Sequence, residues 1–526
     1  MKRNRRAPEA RTVLAVALFA LTYAGGMPGY DVPGMAFVCM APLLDLAVRS
    51  RSVRGAAWRG WAAGTAGSLP LYYWISHTIA VEGKLGWPLG WLAAFLLSAY
   101  LGAWVSVAAA AARRLADRFG DRGLWAFPLL WAGLELARTF LFTGFPWMLL
   151  GYGLAGSGPL RQAADLAGVY GLSFLLALCG VSLYLAGKRW SERSFAAALP
   201  RMAPGAASVL FLLVYGIAAS PVSDPPGTTQ GTFRAGIAQG AVDQSVKWEP
   251  SNQLETLRIY EALTVEARAA GAKVVIWPET AAPFFYGWEG ELSRRVDGIA
   301  ARTGIPLIFG APWYDPAGGG KFYNSVFHVD GRGVLAGRYD KRRLVPFGEY
   351  IPLRRALFFL QKLTVGAEDF SSGTTPSMFI VEGARVSASV CYEAIFPGIL
   401  RDAVRQGATV LVNVTNDAWF GDTVAPHQHL AMARMRCVEL RRPMLRAANS
   451  GISAFIDSGG GIVASAALFR RAVLVAEVHP GTASTLYAKT GELFGISCII
   501  ISLFTLFFPL RGLHGFRIPG RKDGGS

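Results

Sequence analysis

Three places in the second half of the chain read as a reactive polar side chain just past the end of a buried strand. Lys273-Val-Val-Ile-Trp-Pro-Glu279 ends in a carboxylate behind a proline that stops the run. Tyr339-Asp-Lys341 sets an ammonium in a basic stretch, and Leu344-Val-Pro-Phe-Gly-Glu349 adds an acid after an apolar turn. Val386-Ser-Ala-Ser-Val-Cys391-Tyr392-Glu393 ends an alternating run in a thiol, with another acid close behind. In α/β sheets, sites collect at the carboxyl ends of strands. A cysteine nucleophile needs a base for its proton or a cation that favours its thiolate. Acyl transfer also needs donors aimed at the developing oxyanion. Glu, Lys and Cys are a base, a cation and a nucleophile for covalent acyl transfer. Taken singly, each residue has a plainer reading. Glu279 suits a helix cap or a surface acid, and Lys341 a solvated hairpin end. Cys391 suits a small core position, or a disulfide with Cys437 in an oxidising compartment.

No GxSxG elbow, P-loop or zinc motif accompanies these residues. The five cysteines show no metal spacing and no CxxC pair. His427-Gln-His429 is the only close histidine pair and has no acidic or Cys partner at helical spacing. A surface or substrate-side role is expected for it, with no metal and no cofactor.

The segments that must position the three residues alternate in period. Phe233–Gln239, Lys273–Trp277, Ile305–Gly310, Tyr323–Val329, Arg385–Cys391 and Thr409–Thr415 read as short buried strands. Gln253–Ala270, Glu291–Thr303, Ile395–Gln406 and His427–Leu440 read as helices between them. This order predicts a layered α/β domain over 233–485. The Pro-, Ser-, Thr- and Gly-rich stretch 221–232 reads as the linker that leads into it.

The rest of the chain has another character. Overall the 526 residues are 52% hydrophobic and only 17% charged, against about 25% charged for a soluble protein. Apolar runs at 12–25, 33–48, 58–76, 88–112, 124–143, 164–187, 206–220 and 492–510 predict eight transmembrane helices, seven within 1–220 and the eighth at 490–512. Every second connection is basic: Arg5 and Arg6, then Arg49 and Arg51, Arg113 and Arg114, Lys188 and Arg189, and the tail 513–526. The positive-inside rule then puts both termini in the cytoplasm and 233–485 on the outer face. It also accounts for much of the net charge of +17 without nucleic acid as a partner.

At this point the motifs resemble a known family. Trp-Pro-Glu279, the Lys341 stretch and Cys391-Tyr-Glu393 are similar in kind and order to the Glu–Lys–Cys triad of the nitrilase, or carbon–nitrogen hydrolase, superfamily. Several further stretches resemble its membrane-embedded bacterial branch, the apolipoprotein N-acyltransferases. They are Gln239-Gly240 with Lys247-Trp248, Leu344–Tyr350, Asn416-Asp-Ala-Trp419-Phe-Gly and Thr143-Gly-Phe-Pro-Trp147. The resemblance implies an αββα sandwich beside the helical bundle and an enzyme of the inner membrane. It implies Cys391 as nucleophile, Glu279 as base and Lys341 as oxyanion partner, with Trp248, Glu349, Tyr392, Glu393 and Trp419 in support. The implied donor is a phospholipid, at its sn-1 chain, and the implied acceptor is a diacylglyceryl-modified apolipoprotein. A monomer among membrane lipids is expected.

Two features lie outside the motifs. Ile351-Pro-Leu-Arg-Arg-Ala-Leu-Phe-Phe-Leu-Gln-Lys-Leu, residues 351–363, mixes bulky apolar and basic residues and reads as an interfacial arm or lid, or as an ordinary packed helix. Glu135 and Arg138 share one helical face inside an apolar run and read as a mutual pair or as a head-group contact. The residues alone also leave open an anchored amidase with water as acceptor, and an outer domain that binds without chemistry.

Overall fold

The computed structural model describes residues 6–220, 231–244, 246–351 and 369–508. Most of the expected linker, the arm beyond Ile351, the end of the eighth span and the C-terminal tail lie outside the described residues. The first part is a bundle of helices: Arg6–Gly25, Met35–Val38, Met40–Val48, Val53–Tyr72, Trp87–Phe119, Phe127–Phe140, Ala164–Glu192 and Phe195–Ala219. Leu493–Phe507 returns to pack on Phe127–Phe140, where Gly133 lets Ile499 approach. Among the described residues, Trp87–Phe140, Ala164–Glu192 and Phe195–Ala219 are long and apolar enough to cross a membrane. Large apolar side chains on the outer faces of the helices, such as Leu21, Trp91, Leu96, Leu210, Ile217 and Ile500, are exposed, as a lipid-facing surface requires.

Inside the bundle, small residues bring helices together. A Cβ on Gly60 would stand 2.5 Å from that of Ala109, and one on Gly64 2.6 Å from Val105. Helices Val53–Tyr72 and Trp87–Phe119 therefore meet backbone to backbone, as helices do where lipid offers no hydrophobic drive for association. Several expected spans are shorter or broken. The run 33–48 divides at Cys39, and 124–143 begins as a 3₁₀ turn and is α-helical over Phe127–Phe140.

The second part is a sandwich of two six-stranded sheets. The strands are β1 (Phe233–Gln239), β2 (Val274–Ile276), β3 (Leu307–Asp315), β4 (Lys321–Val329), β5 (Leu335–Asp340), β6 (Phe379–Val381), β7 (Ala384–Val390), β8 (Val410–Thr415), β9 (Met444–Ala448), β10 (Ala454–Ile456), β11 (Ile462–Ser465) and β12 (Ala472–Val478). One sheet runs β12-β1-β2-β3-β4-β5 and the other β11-β10-β9-β8-β7-β6. β1, β2 and β3 are parallel, as are β7, β8 and β9.

Alternation explains the layers. Phe233, Ala235 and Ile237 of β1 face Val386, Val410 and Val412 of the other sheet across an apolar core. The opposite face of the first sheet packs on helices Pro250–Ala269 and Gly290–Thr303, through Leu257, Tyr260 and Ile299. The opposite face of the second packs on Pro397–Arg405 and Ala425–Leu440, through Leu400, Ala433 and Cys437. The result is the expected four-layer αββα arrangement. Cys391 and Cys437 are both free thiols, so the disulfide reading does not hold.

Candidate active site

Each of the three reactive residues follows the end of a strand. Pro278 stops β2, and the next residues form a turn in which Thr280 has φ +48°. That is a strained conformation for a β-branched residue. The turn lies against Gly310 of β3, where a Cβ would stand 2.6 Å from the Thr280 nitrogen. Lys341 follows β5 and donates its main-chain N–H to the Asn324 carbonyl at 2.9 Å. Cys391 follows β7 at φ +48° and opens the 3₁₀ turn Cys391–Ile395.

The buried polar atoms converge on Lys341. Its Nζ donates to Glu349 Oε1 at 3.0 Å and lies 3.6 Å from Glu279 Oε1. Asn324 Nδ2 bridges the two acids, donating to Glu279 Oε1 and Glu349 Oε1 at 2.8 Å each. Val345 N donates to the other Glu349 oxygen at 2.8 Å. Burial works against the Lys341 charge, but Glu349 and Glu279 outweigh it, and the ammonium is held above its ordinary range. It is a permanent cation. The Cys391 thiol is pushed up to about 12, first by burial and then by the Glu279 carboxylate, with Lys341 acting in the opposite direction. At rest Cys391 is therefore a neutral thiol, and a reaction through its sulfur needs a base for the proton.

The sign of that coupling makes a test. Glu279→Gln removes a charge that raises the thiol, so Cys391 is expected to titrate at lower pH in the variant while catalysis collapses. The thiolate absorbance difference between each protein and its Cys391→Ala counterpart reads this directly. A thiol that titrates at unchanged or higher pH would break the electrostatic link.

Glu393 ties two strand ends together. Its carboxylate accepts from Tyr339 Oη at 2.8 Å, Arg342 N at 2.6 Å, Arg343 N at 3.0 Å and Val390 N at 2.7 Å. Tyr392 Oη donates to the Gly144 carbonyl of the bundle at 3.3 Å. Trp248 is half-buried beside the buried Lys247. Trp419 is half-buried, and its carbonyl accepts from Thr78 Oγ1 at 2.8 Å.

Asn324 and Arg446 were not singled out by sequence. Behind Cys391 lies a fully buried group of Asp417, His429 and Arg446. His429 Nε2 is 3.1 Å from the Cys391 carbonyl, which only accepts, so that nitrogen carries a proton. Nδ1 lies 3.1 Å from the Arg446 guanidinium and 3.0 Å from Asp417 Oδ1. Burial and Arg446 both lower the imidazole below its ordinary value, so it is neutral. Against the burial that opposes its charge, Arg446 holds the Asp417 carboxyl well below the usual range. His429 is thus a core residue braced behind Cys391, which corrects the surface or substrate-side reading. Asn324 and Arg446 were legible only as polar interruptions within strands.

The bundle reaches into the same site. Residues 141–149 turn through positive φ at Phe142, Thr143, Gly144 and Met148. Trp147 donates through Nε1 to Gln428 Oε1 at 2.7 Å, and its ring lies 5.5 Å from that of His429. Arg343 donates to the Thr143 carbonyl. Glu135 and Arg138 brace this turn instead of pairing with each other. Glu135 Oε1 accepts from Leu150 N at 2.7 Å, and Arg138 donates to the Trp147 carbonyl at 3.0 Å.

A buried acid, a fixed cation and a thiol at the strand ends of a four-layer αββα sandwich define a carbon–nitrogen hydrolase domain. The family model described as carbon-nitrogen hydrolase matches residues 234–487, and the apolipoprotein N-acyltransferase N-terminal domain matches 17–182. An apolipoprotein N-acyltransferase of Geobacter metallireducens is 40% identical over 93% of this chain and 92% of its own length. Another, of Methylococcus capsulatus, is 38% identical over 70% of this chain and 71% of its own. A solved amidase of the nitrilase superfamily from Nesterenkonia sp. AN1 overlays with a TM-score of 0.39 at 19% identity, covering 51% of this chain and 97% of its own. The chain belongs to the apolipoprotein N-acyltransferase family.

Proposed function

We propose that this membrane enzyme transfers a fatty acyl chain, the sn-1 chain of a phospholipid, to the α-amine of the N-terminal diacylglyceryl-cysteine of apolipoproteins, and that it does so through a thioester on Cys391. The observation that carries the reading is the convergence of Glu279, Lys341 and the neutral Cys391 thiol beside a helical bundle with an apolar outer surface. Glu279 takes the thiol proton as sulfur attacks the ester carbonyl. The Lys341 ammonium stabilises the oxyanion. Collapse expels the lysophospholipid alkoxide, which regains the proton from Glu279. The acceptor amine then attacks the thioester, Glu279 takes its proton and passes it to the departing Cys391 sulfur, and the amide forms with the neutral thiol restored. Glu349 and Asn324 hold the cation and the base in place. Tyr392, Glu393, Trp248 and Trp419 shape the strand ends around them.

Two lipid-anchored substrates explain why the catalytic domain is joined to a bundle. We assign residues 1–220 and 490–512 to eight spans of the bacterial inner membrane, with both termini cytoplasmic and the catalytic domain periplasmic. The alternation of basic connections supports this orientation.

Intact mass spectrometry tests the first half-reaction. Purified protein mixed with phospholipid is expected to gain the mass of one acyl chain. Hydroxylamine should release it, and Cys391→Ala should never acquire it. A folded protein that takes no adduct from several phospholipids would overturn the thioester and turn attention to small amides.

A further inference from the structure

Lys247 is among the most deeply buried residues of the catalytic domain, and the reaction above leaves it without a task. Its Nζ donates to Thr280 Oγ1 at 2.8 Å and to the Glu279 carbonyl at 3.2 Å. Both acceptors belong to the turn that carries the base, and Thr280 there adopts the strained φ of +48°. Gly310 of β3 presses on one side of this turn. Lys247 grips it through the oxygens left free. A β-branched residue persists at positive φ only where its surroundings over-determine it.

The segment that carries Lys247 is itself fastened at other points. Val242 N donates to Asn449 Oδ1 at 3.0 Å, and Asn449 Nδ2 returns a bond to the Val242 carbonyl at 2.7 Å. Asn416 Nδ2 donates to Gln244 Oε1 at 2.6 Å. Residues 241–244 and 246–248 thus lie across the ends of both sheets as a strap, pinned to the second sheet by Asn416 and Asn449 and to the first by Lys247. Trp248 is its next residue.

We infer that Lys247 is a positioning residue for Glu279, a buried clamp that fixes the strained Glu279–Thr280 turn and fastens to it the strap that carries Trp248. The environment agrees with this role. Burial brings the amine down to about 7, against the pull of the Glu279 carboxylate. The inference rests on Glu279 serving as the base.

The full-length protein in detergent provides the test. The Cys391 titration is compared in wild type, Lys247→Met, Thr280→Val, Glu279→Gln and Lys247→Met/Glu279→Gln, each against its Cys391→Ala counterpart. Releasing the turn lets the Glu279 carboxylate drift from the thiol. Lys247→Met is therefore expected to titrate at lower pH, in the direction of Glu279→Gln. Thr280→Val, which removes one of the two acceptors, should move it less in the same direction. The double variant should match Glu279→Gln alone. Acyl transfer in Lys247→Met should fall by up to about 100-fold, as misplacement of a catalytic group allows, with an unchanged KM for phospholipid. Curves that superimpose on wild type in both single variants, or a Lys247→Met shift that persists in full in the Glu279→Gln background, would overturn the clamp. Should Lys247→Met not fold, Thr280→Val decides alone, since it keeps the lysine. A wild type that forms no acyl adduct counts against the acyl-transfer reading, and the titrations still decide the clamp.

Discussion

Lys341→Met is expected to slow acyl-enzyme formation by roughly 100- to 1,000-fold, the usual effect of removing one oxyanion partner. The loss has two sources. The developing oxyanion finds no cation, and Glu279 and Glu349 are left to share a buried site that Lys341 had balanced at 3.6 and 2.9 Å. Removing one partner of a buried ion pair leaves uncompensated charge behind, which costs stability as well. Lys341→Arg should not restore the rate, because a planar fork does not replace a compact point charge packed among acid oxygens. Adduct formation followed by mass, with the unfolding midpoint measured alongside, checks the result. A variant that acylates at the wild-type rate would remove Lys341 from the chemistry.

Glu393→Ala is expected to act on the fold before it acts on the reaction. It leaves donors from Tyr339, Arg342, Arg343 and Val390 without an acceptor, those of Tyr339 and Val390 fully buried and the other two partly so. Each unsatisfied donor costs about 1–3 kcal/mol, with partial relief from water. A net loss of about 4 kcal/mol lowers the unfolding midpoint by roughly 10 °C for a domain of this size. Glu393→Gln should recover only part of this, because its amide nitrogen faces donors. An unchanged midpoint in Glu393→Ala would show that the strand ends after β5 and β7 hold together without it.

Where the sequence was legible, the reason is local. β1 was read over its full length, and helix Gly290–Thr303 nearly so, because period and burial coincide within each segment. Glu279 and Cys391 stood out because each ends an apolar run, and Lys341 because a basic run there meets an apolar turn and an acid. β9 was missed because Arg446 sits in its middle, and its distant partners Asp417 and Asn413 make a buried guanidinium tolerable there. β12 was missed although its run is apolar, since its place beside β1 is set by a pairing across the whole domain. The roles of Asn324, His429 and Lys247 depend on partners far away along the chain. No pattern within a window of residues encodes such contacts. Glu135 and Arg138 were noticed, but their partners lie in the 147–150 turn and not in each other.

The 141–149 turn limits how this protein can be divided or recombined. Its main chain receives Tyr392 and Arg343, and its Trp147 lies against His429, so the floor of the nucleophile turn is built by a different part of the gene from the nucleophile itself. A chimera that grafts this sandwich onto a foreign bundle inherits the thiol without its floor. An excised sandwich, however well it stays in solution, exposes His429 and Tyr392, which lie against the bundle, to water. A change on either side of these contacts therefore needs an answer on the other.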